Sequence, residues 1–254
     1  MTFRQWLLSE LPNPSADPYN WKYLVALVFV VGFVVTSTLL LKNKSQKTKW
    51  IVLLVLASLI AFLEVTRRGI NFYKTTDWTL KNIAHILLPR PGCAISCWLV
   101  MLAVFINKKW AYSFASMISL LCGTAFFASP GAGFNHQFVQ FEELYSMLTH
   151  TLFYTCALCF VTYRMAEFKF SQVKQQAICF GVLICYVAFE MLCKIESDPF
   201  YFMPGGDVQE IVGLPYGAFL PLFFVFNTVF FLAFYLIDDR KTVKQFCNKL
   251  AKKN

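Results

Sequence analysis

The residue with the most suggestive chemical surroundings is Cys93, which follows two prolines in the run IAHILLPRPGCAISCWLVML. Pro89 and Pro91 each remove a backbone N–H donor and clash with the preceding turn of a helix. A helix that starts again after them presents unpaired N–H groups and a positive dipole end to the thiol. Because this setting stabilises a thiolate and can bind an oxyanion, the sequence marks Cys93 as a candidate nucleophile.

The cysteines of this run have two other interpretations. Cys97 lies one helical turn after Cys93 on the same face. Both could be small packing residues, as buried cysteines usually are. Metal binding by Cys93, Cys97 and a histidine is a further alternative, which the sequence indicates only weakly. We predict no metal and no cofactor.

Ionisable residues collect at a similar depth in several apolar runs. Cys93 lies about ten residues into its run and His150 about eight into another, roughly 15 Å and 12 Å deep in helices. Ionisable groups within a membrane are costly and often functional. We predict that one outward-facing polar cavity contains Cys93 and the set Glu64, His85, Arg90, His136, His150 and Glu190.

The alternative for each residue of this set is a structural role. Glu64, for example, could pair with Arg67 or Arg68, three and four residues further along the same helix. Taken singly, each residue is better explained in this way. The depth that the whole set shares is what favours a site.

The elements that must position these residues are membrane helices. Of the 254 residues 57% are hydrophobic and 15% charged, and the mean hydropathy is +0.54. Soluble domains have a charged fraction of about a quarter. The apolar residues form continuous runs of about 20, the length of one helical span, and do not alternate as barrel strands do. We predict an all-α membrane protein, a bundle of about seven transmembrane helices.

The runs define the predicted organisation of the chain. Residues 1–21 form a polar N-terminal lead, residues 22–237 the seven-helix transmembrane domain and residues 238–254 a basic tail. The predicted spans are Lys22–Leu41, Trp50–Thr66, Ile83–Ile106, Trp110–Ala128, Glu142–Tyr163, Gln176–Cys193 and Leu214–Ile237.

Basic residues set the predicted orientation. The connectors after the first, third and fifth spans and the tail carry fifteen Lys and Arg residues, whereas the opposite side carries seven. The positive-inside rule therefore places the N-terminus outside and the C-terminus in the cytoplasm. The net charge of +9 is explained by topology and by contact with anionic headgroups, not by nucleic acid. We predict an integral membrane protein, of a bacterial plasma membrane.

Two stretches resemble a known family. The run LLPRPGC, which ends at Cys93, resembles the L-P-L-x-L-C signature of the YwaF-like integral membrane proteins, which include the eukaryotic transmembrane protein 164 acyltransferases. Glu64 resembles the acidic residue on that family's second span. The family's T-P-x-x-x-F-x-F-P-H…F-x-x-T-H stretch is similar to this chain at Ser129, Pro130, Phe134, His136, Phe141, Thr149 and His150.

The resemblance, which covers roughly residues 60–230, implies a lipid-modifying role. Eukaryotic members move fatty acyl groups between phospholipids through a cysteine acyl-enzyme. By position, Cys93 corresponds to the nucleophile and His150 to the general base, and membrane phospholipids are the implied partners. The chain departs from the family pattern at Pro91, where a polar residue is usual, and at DPFYFM, residues 198–203.

The sequence is therefore compatible with three candidate functions. A thiol-dependent phospholipid acyltransferase or lipid hydrolase ranks first. A small-solute transporter ranks second, because only the third span is clearly broken and no internal repeat is visible. A receptor or sensor ranks third, since a count of seven spans is only a fold-level analogy.

Overall fold

The structure, a computed structural model, describes residues 2–9, 19–89, 92–128, 139–193, 195 and 213–239, and these residues form helices. Six of the helices are long and apolar enough to cross a membrane, and a bent pair of shorter helices makes a seventh span if it is counted as one. The all-α membrane fold predicted from the sequence is therefore confirmed. Arg90 and His136 lie outside the described residues.

The helices agree closely with the predicted spans. Most helix ends lie within three residues of the predicted boundaries, and the largest difference is in the second span, which extends beyond Thr66. The helices are α1 Phe3–Leu7, α2 Trp21–Leu41, α3 Gln46–Lys74, α4 Leu80–Leu87, α5 Gly92–Ile106, α6 Lys109–Ala128, α7 Phe141–Thr162, α8 Val173–Leu192 and α9 Tyr216–Asp238.

Short polar side chains start several of these helices. The Asn20 side chain accepts hydrogen bonds from the backbone of Lys22 and Tyr23 before α2. Ser45 caps α3 in the same way, and Thr79 caps α4. Such caps satisfy N–H groups that have no partner within the helix. The polar connectors between the apolar runs therefore fix where the helices begin.

The third predicted span is broken, as its prolines indicate. Helix α4 ends at Leu87, helix α5 begins at Gly92, and the two are bent by 57° relative to one another. The Leu88 backbone is extended, with φ −74° and ψ 145°, because a residue before proline avoids the helical region. The break puts Cys93 in the first turn of α5, the position predicted from the sequence.

The chain divides into two compact units, Met1–Met165 and Ala166–Asn254. In the first unit α3, α5, α6 and α7 pack as a four-helix group in which each helix contacts the next around the ring. Helix α2 packs on α7 from outside this group. Trp50 Nε1 donates to the Val104 carbonyl at 3.3 Å and joins α3 to α5. Tyr163 joins α7 to α2 through a hydrogen bond to the Thr38 carbonyl.

The second unit contains α8 and α9 and a short 3-10 turn, Phe170–Gln172, before α8. The Phe168 ring packs on Phe234 with ring centroids 4.8 Å apart. The Phe168 backbone N–H donates to Asp238 Oδ2 at 2.8 Å. These contacts connect the end of α9 to the segment that precedes α8.

Candidate functional site

Cys93 is the second residue of α5 and is half-buried. Its thiol lies beside the thiol of Cys122 on α6. The Ser96 hydroxyl, one turn further along α5, donates to the Gly92 carbonyl at 3.2 Å and also contacts Cys122. The first-turn N–H groups of α5 have no partner inside the helix, so they are available to a group bound beside Cys93.

His150 is buried on α7, with 5% of its surface exposed. Its Nδ1 lies 2.6 Å from the Ser146 carbonyl, so Nδ1 carries the proton and donates to that oxygen. Its Nε2 then holds the lone pair, and this buried atom has no hydrogen-bond partner in the part of the chain that the structure describes. An unpaired buried acceptor is uncommon and calls for an explanation.

Aromatic rings hold the His150 imidazole in place. Phe126 of α6 is stacked on it, with ring centroids 3.6 Å apart and an interplanar angle of 15°. Phe153 lies against it at 5.0 Å and Phe127 at 6.4 Å. Because these rings fill the space around the imidazole, they fix the direction in which Nε2 points.

Cys93 and His150 contact successive turns of the same helix. Cys93 lies beside Cys122, and His150 is stacked on Phe126, four residues later on α6. Residues four apart on a helix are neighbours on one face, with Cβ atoms about 6 Å apart. Within the described ranges the two side chains are not hydrogen bonded to each other. They flank one stretch of α6, at the end of the helix where α5 begins.

A separate polar network surrounds Glu64 on α3. The side chain is 1% exposed, and its carboxylate accepts hydrogen bonds from Arg68 of the same helix and from Tyr145 of α7. The buried Cys97 thiol of α5 lies close to it. Arg67 Nη2 approaches Glu64 Oε2 to 3.9 Å. Three helices therefore meet at this carboxylate.

Arg68 extends the network to the broken span. Its Nε donates to the Leu87 carbonyl at 3.1 Å, at the end of α4. Its guanidinium lies over the Trp98 ring of α5, 5.4 Å from the centroid, and Arg67 lies over Tyr145 at 5.2 Å. The Leu87 carbonyl is one of those that a helix end leaves unpaired. Arg68 thus satisfies the helix end that the prolines create.

Two further predicted site residues, His85 and Glu190, lie within the described part of the chain. The His85 side chain is exposed on α4. Glu190 is buried on α8 in the second unit, where the Tyr186 hydroxyl donates to its Oε1 at 2.7 Å. Within the first unit the structure brings Cys93 and His150 to one stretch of α6, and it engages Glu64 in an ion pair with Arg68.

Among the described residues of the first unit, two cavities are lined by none of the predicted site residues. One of about 460 Å³ lies beside Lys47, Trp50, Lys109 and Tyr112. The other, of about 420 Å³, lies between α1 and α3. Among the described residues no three His, Cys, Asp or Glu side chains are arranged to hold a metal ion.

Sequence reasoning missed two residues of these clusters, Cys122 and Tyr145. Cys122 lies near the end of an apolar run, where a cysteine is an ordinary packing residue. Tyr145 has a polar hydroxyl within an apolar run, and a buried hydroxyl usually needs a partner. That requirement is a usable signal, although it does not identify Glu64, 81 positions away in the chain.

Comparison of the chain with protein-family models, with curated proteins and with solved structures gives no match. The similarity to the YwaF-like family therefore stays a prediction from the motifs around Cys93 and His150.

Proposed function

We propose that the protein is a membrane-embedded acyltransferase that moves fatty acyl chains between phospholipids through a thioester on Cys93, with His150 as general base. One observation carries the proposal. The Nε2 lone pair of His150 is buried and has no partner in the described structure, and the imidazole stacks on Phe126 of α6, four residues after the Cys122 that lies beside Cys93. A positioned thiol and an acceptor nitrogen are the pair that acyl transfer requires.

In the first half-reaction His150 Nε2 takes the Cys93 proton. The thiolate sulfur then bonds to the ester carbonyl carbon of the donor phospholipid. The tetrahedral oxyanion is stabilised by the unpaired first-turn N–H groups of α5 and by the positive end of its dipole. The ester C–O bond breaks, and the leaving lysophospholipid oxygen receives the proton from the His150 imidazolium.

In the second half-reaction the hydroxyl of an acceptor lipid loses its proton to His150 Nε2. Its oxygen bonds to the thioester carbonyl carbon, the C–S bond breaks, and the Cys93 thiolate is reprotonated from His150. Water in place of the acceptor lipid would release a free fatty acid. The bonds formed and broken balance over the cycle, so no cofactor is needed.

Cys122 has a positioning role in this proposal. Its thiol lies beside the Cys93 sulfur and keeps it against α6, one turn from the Phe126 ring that stacks on His150. For the reaction the Cys93 thiol must approach Nε2 more closely, and catalytic hydrogen bonds often tighten only when substrate is bound.

The test is intact-protein mass spectrometry after incubation of the purified protein with mixed phospholipids. We expect a fatty-acyl mass increase that hydroxylamine removes. Cys93→Ala should form no adduct. His150→Phe should slow adduct formation by about 10²–10⁴-fold, the usual contribution of a general base. Because its neighbours Phe126, Phe127 and Phe153 are aromatic, a phenyl ring at position 150 should preserve packing and the melting temperature.

Cys122→Ala removes the neighbouring thiol and leaves Cys93. This variant should still form the adduct, but more slowly than the parent protein, because Cys122 positions the Cys93 sulfur. An adduct that survives in Cys93→Ala and disappears in Cys122→Ala would overturn the assignment of the nucleophile. A folded protein that forms no adduct with any phospholipid would overturn the proposed function and favour a solute-binding role.

A further inference from the structure

One cavity of the first unit has two lysines and an asparagine among its lining residues, and the proposed reaction does not use it. It measures about 460 Å³, within the range of small-molecule sites, and is lined by Gln46, Lys47, Trp50, Asn107, Lys109, Tyr112 and Met165. These residues come from the start of α3, the turn from α5 to α6 and the end of α7. They lie at the end of the unit opposite Cys93, the predicted cytoplasmic end.

The charge around this cavity is of one sign. The segments that form this end, residues 42–50, 107–112 and 163–165, carry seven cations and no Asp or Glu. The cations are Lys42, Lys44, Lys47, Lys49, Lys108, Lys109 and Arg164. These segments therefore contribute only positively charged side chains to the surroundings of the cavity.

Lys49 is a buried lysine at the same end of the unit. Only 7% of this residue is exposed, and its ammonium lies over the Tyr163 ring, 4.3 Å from the centroid. No carboxylate pairs with it in the part of the chain that the structure describes. A buried charge normally requires an opposite charge. Lys49 does not line the cavity itself, and it adds a buried positive charge to the same end of the unit.

The cavity also presents hydrogen-bond donors. Tyr112 Oη donates to Asn107 Oδ1 at 2.9 Å, so the Asn107 NH₂ group is left as a donor. Asn107 adopts a positive φ of 50° at the turn after α5, a conformation that asparagine tolerates. Helices α3 and α6 both begin here and add the positive ends of their dipoles. The donors and charges therefore have the chemistry that an anion needs.

We propose that this cavity binds the phosphate group of an anionic phospholipid from the cytoplasmic leaflet. Basic pockets between helices at the cytoplasmic side hold such headgroups, and that leaflet is rich in anionic lipid. Lys47 and Lys109 contact the phosphate, and Asn107 donates to it. The indole of Trp50 lies where the headgroup meets the acyl region, the usual place for tryptophan.

The test measures binding of phosphatidylglycerol and of phosphatidylcholine to the full-length protein in neutral detergent, at about 0.15 M salt, where charges more than about 8 Å apart are screened. We expect a clear preference for phosphatidylglycerol. Lys47→Gln with Lys109→Gln should weaken its binding about thirtyfold, the loss expected from two lysines near a lipid phosphate. Lys47→Arg with Lys109→Arg should keep binding within about threefold, because the charge is preserved.

The matched control is Lys42→Gln with Lys44→Gln, which removes the same charge at the same end of the unit from residues that do not line the cavity. This variant should lose less than about threefold, because its lysines are screened. An equal loss in the two Gln pairs would show a general surface effect and overturn the site. No preference between the two lipids would also overturn it. Inorganic phosphate that binds with similar affinity in the absence of lipid would identify a free-phosphate site and overturn the lipid assignment.

Discussion

The Glu64 carboxylate is fully buried and has three partners on three helices, Arg68, Tyr145 and Cys97. An ion in a low-dielectric interior is tolerated only when its charge and lone pairs are satisfied. Here the charge is balanced by Arg68 and the second oxygen by the Tyr145 hydroxyl. The network therefore ties α3 to α5 and α7 and depends on each of its members.

Removal of one charge from this network should be costly. Glu64→Ala leaves Arg68 buried without its carboxylate, and we expect a loss of about 3–5 kcal/mol in the free energy of unfolding. Tyr145→Phe removes one donor to a charged acceptor and should cost about 1.5–3 kcal/mol. Denaturant titration of the detergent-solubilised protein, followed by tryptophan fluorescence, measures both.

Two further variants separate the charge from its surroundings. Glu64→Met with Arg68→Met removes both ions and should recover most of the loss, although the Leu87 carbonyl then loses its Arg68 donor. Ser58→Ala, on an exposed part of α3, should change the free energy of unfolding by less than about 0.5 kcal/mol. If Glu64→Ala were as mild as Ser58→Ala, the carboxylate would not be ionised and paired in the folded protein.

Interacting side-chain pairs within one helix could be predicted from the sequence, whereas pairs between two helices could not. Arg68 lies four residues after Glu64, so helical periodicity alone suggested their contact. Contacts between helices depend on which faces of neighbouring helices meet. Examples are the contacts of Cys97 and Tyr145 with Glu64, and of Cys122 with Cys93. A hydropathy pattern gives the length of a span, but in a chain surrounded by lipid it does not give the rotation of one helix against another.

At the scale of the helices, the local sequence determined where most of them begin and end. The helix boundaries follow from continuous apolar runs and polar caps, and the break before Cys93 follows from Pro89 and Gly92. Helix α3 is the exception, since its 29 residues extend well beyond the predicted Trp50–Thr66. Its charged last turns, with Arg67, Arg68 and Lys74, were taken for a connector. They stay helical because Glu64 pairs with Arg68 and Glu142 with Lys74.

Helices α6 and α7 approach closely at Gly123, and this contact can be tested. A Cβ atom at Gly123 would lie 2.5 Å from Tyr154 Cδ2 and 3.2 Å from Tyr154 Cβ. The second contact is near the α7 backbone, so rotation of the tyrosine ring cannot relieve it. We expect Gly123→Ala to destabilise the protein by about 1–3 kcal/mol, the usual cost of overpacking, in a denaturant titration.

Gly32 on α2 provides the matched control, because nothing lies within 4 Å of a Cβ atom added there. Gly32→Ala should leave stability unchanged or raise it by up to about 1 kcal/mol, since alanine favours a helix over glycine. Gly123→Ala should also disturb the neighbouring Cys122 and slow formation of the Cys93 adduct. Equal effects of the two substitutions on stability would show that α6 and α7 do not pack through Gly123.

At the scale of the whole molecule, the two ends of the first unit differ in charge. One end has seven cations and no acid in its segments, and the other combines Glu64 and Glu142 with Arg68 and Lys74 in ion pairs. Arg68 and Lys74, two of the seven cations on the predicted outer side, are thus paired with carboxylates. Because the count of Lys and Arg residues in short connectors determines topology, the cation-rich end is the predicted cytoplasmic end.

Cysteine labelling tests this orientation. The 29 residues of α3 extend about 43 Å, longer than the roughly 30 Å hydrocarbon core, so both connectors that flank it should reach water. A membrane-impermeant maleimide should label Thr76→Cys in intact cells, above the labelling of the parent protein. It should label Asn43→Cys only after the membrane is permeabilised. The opposite pattern would put the lysine-lined cavity in the outer leaflet and bring donor lipids to Cys93 from the cytoplasmic side.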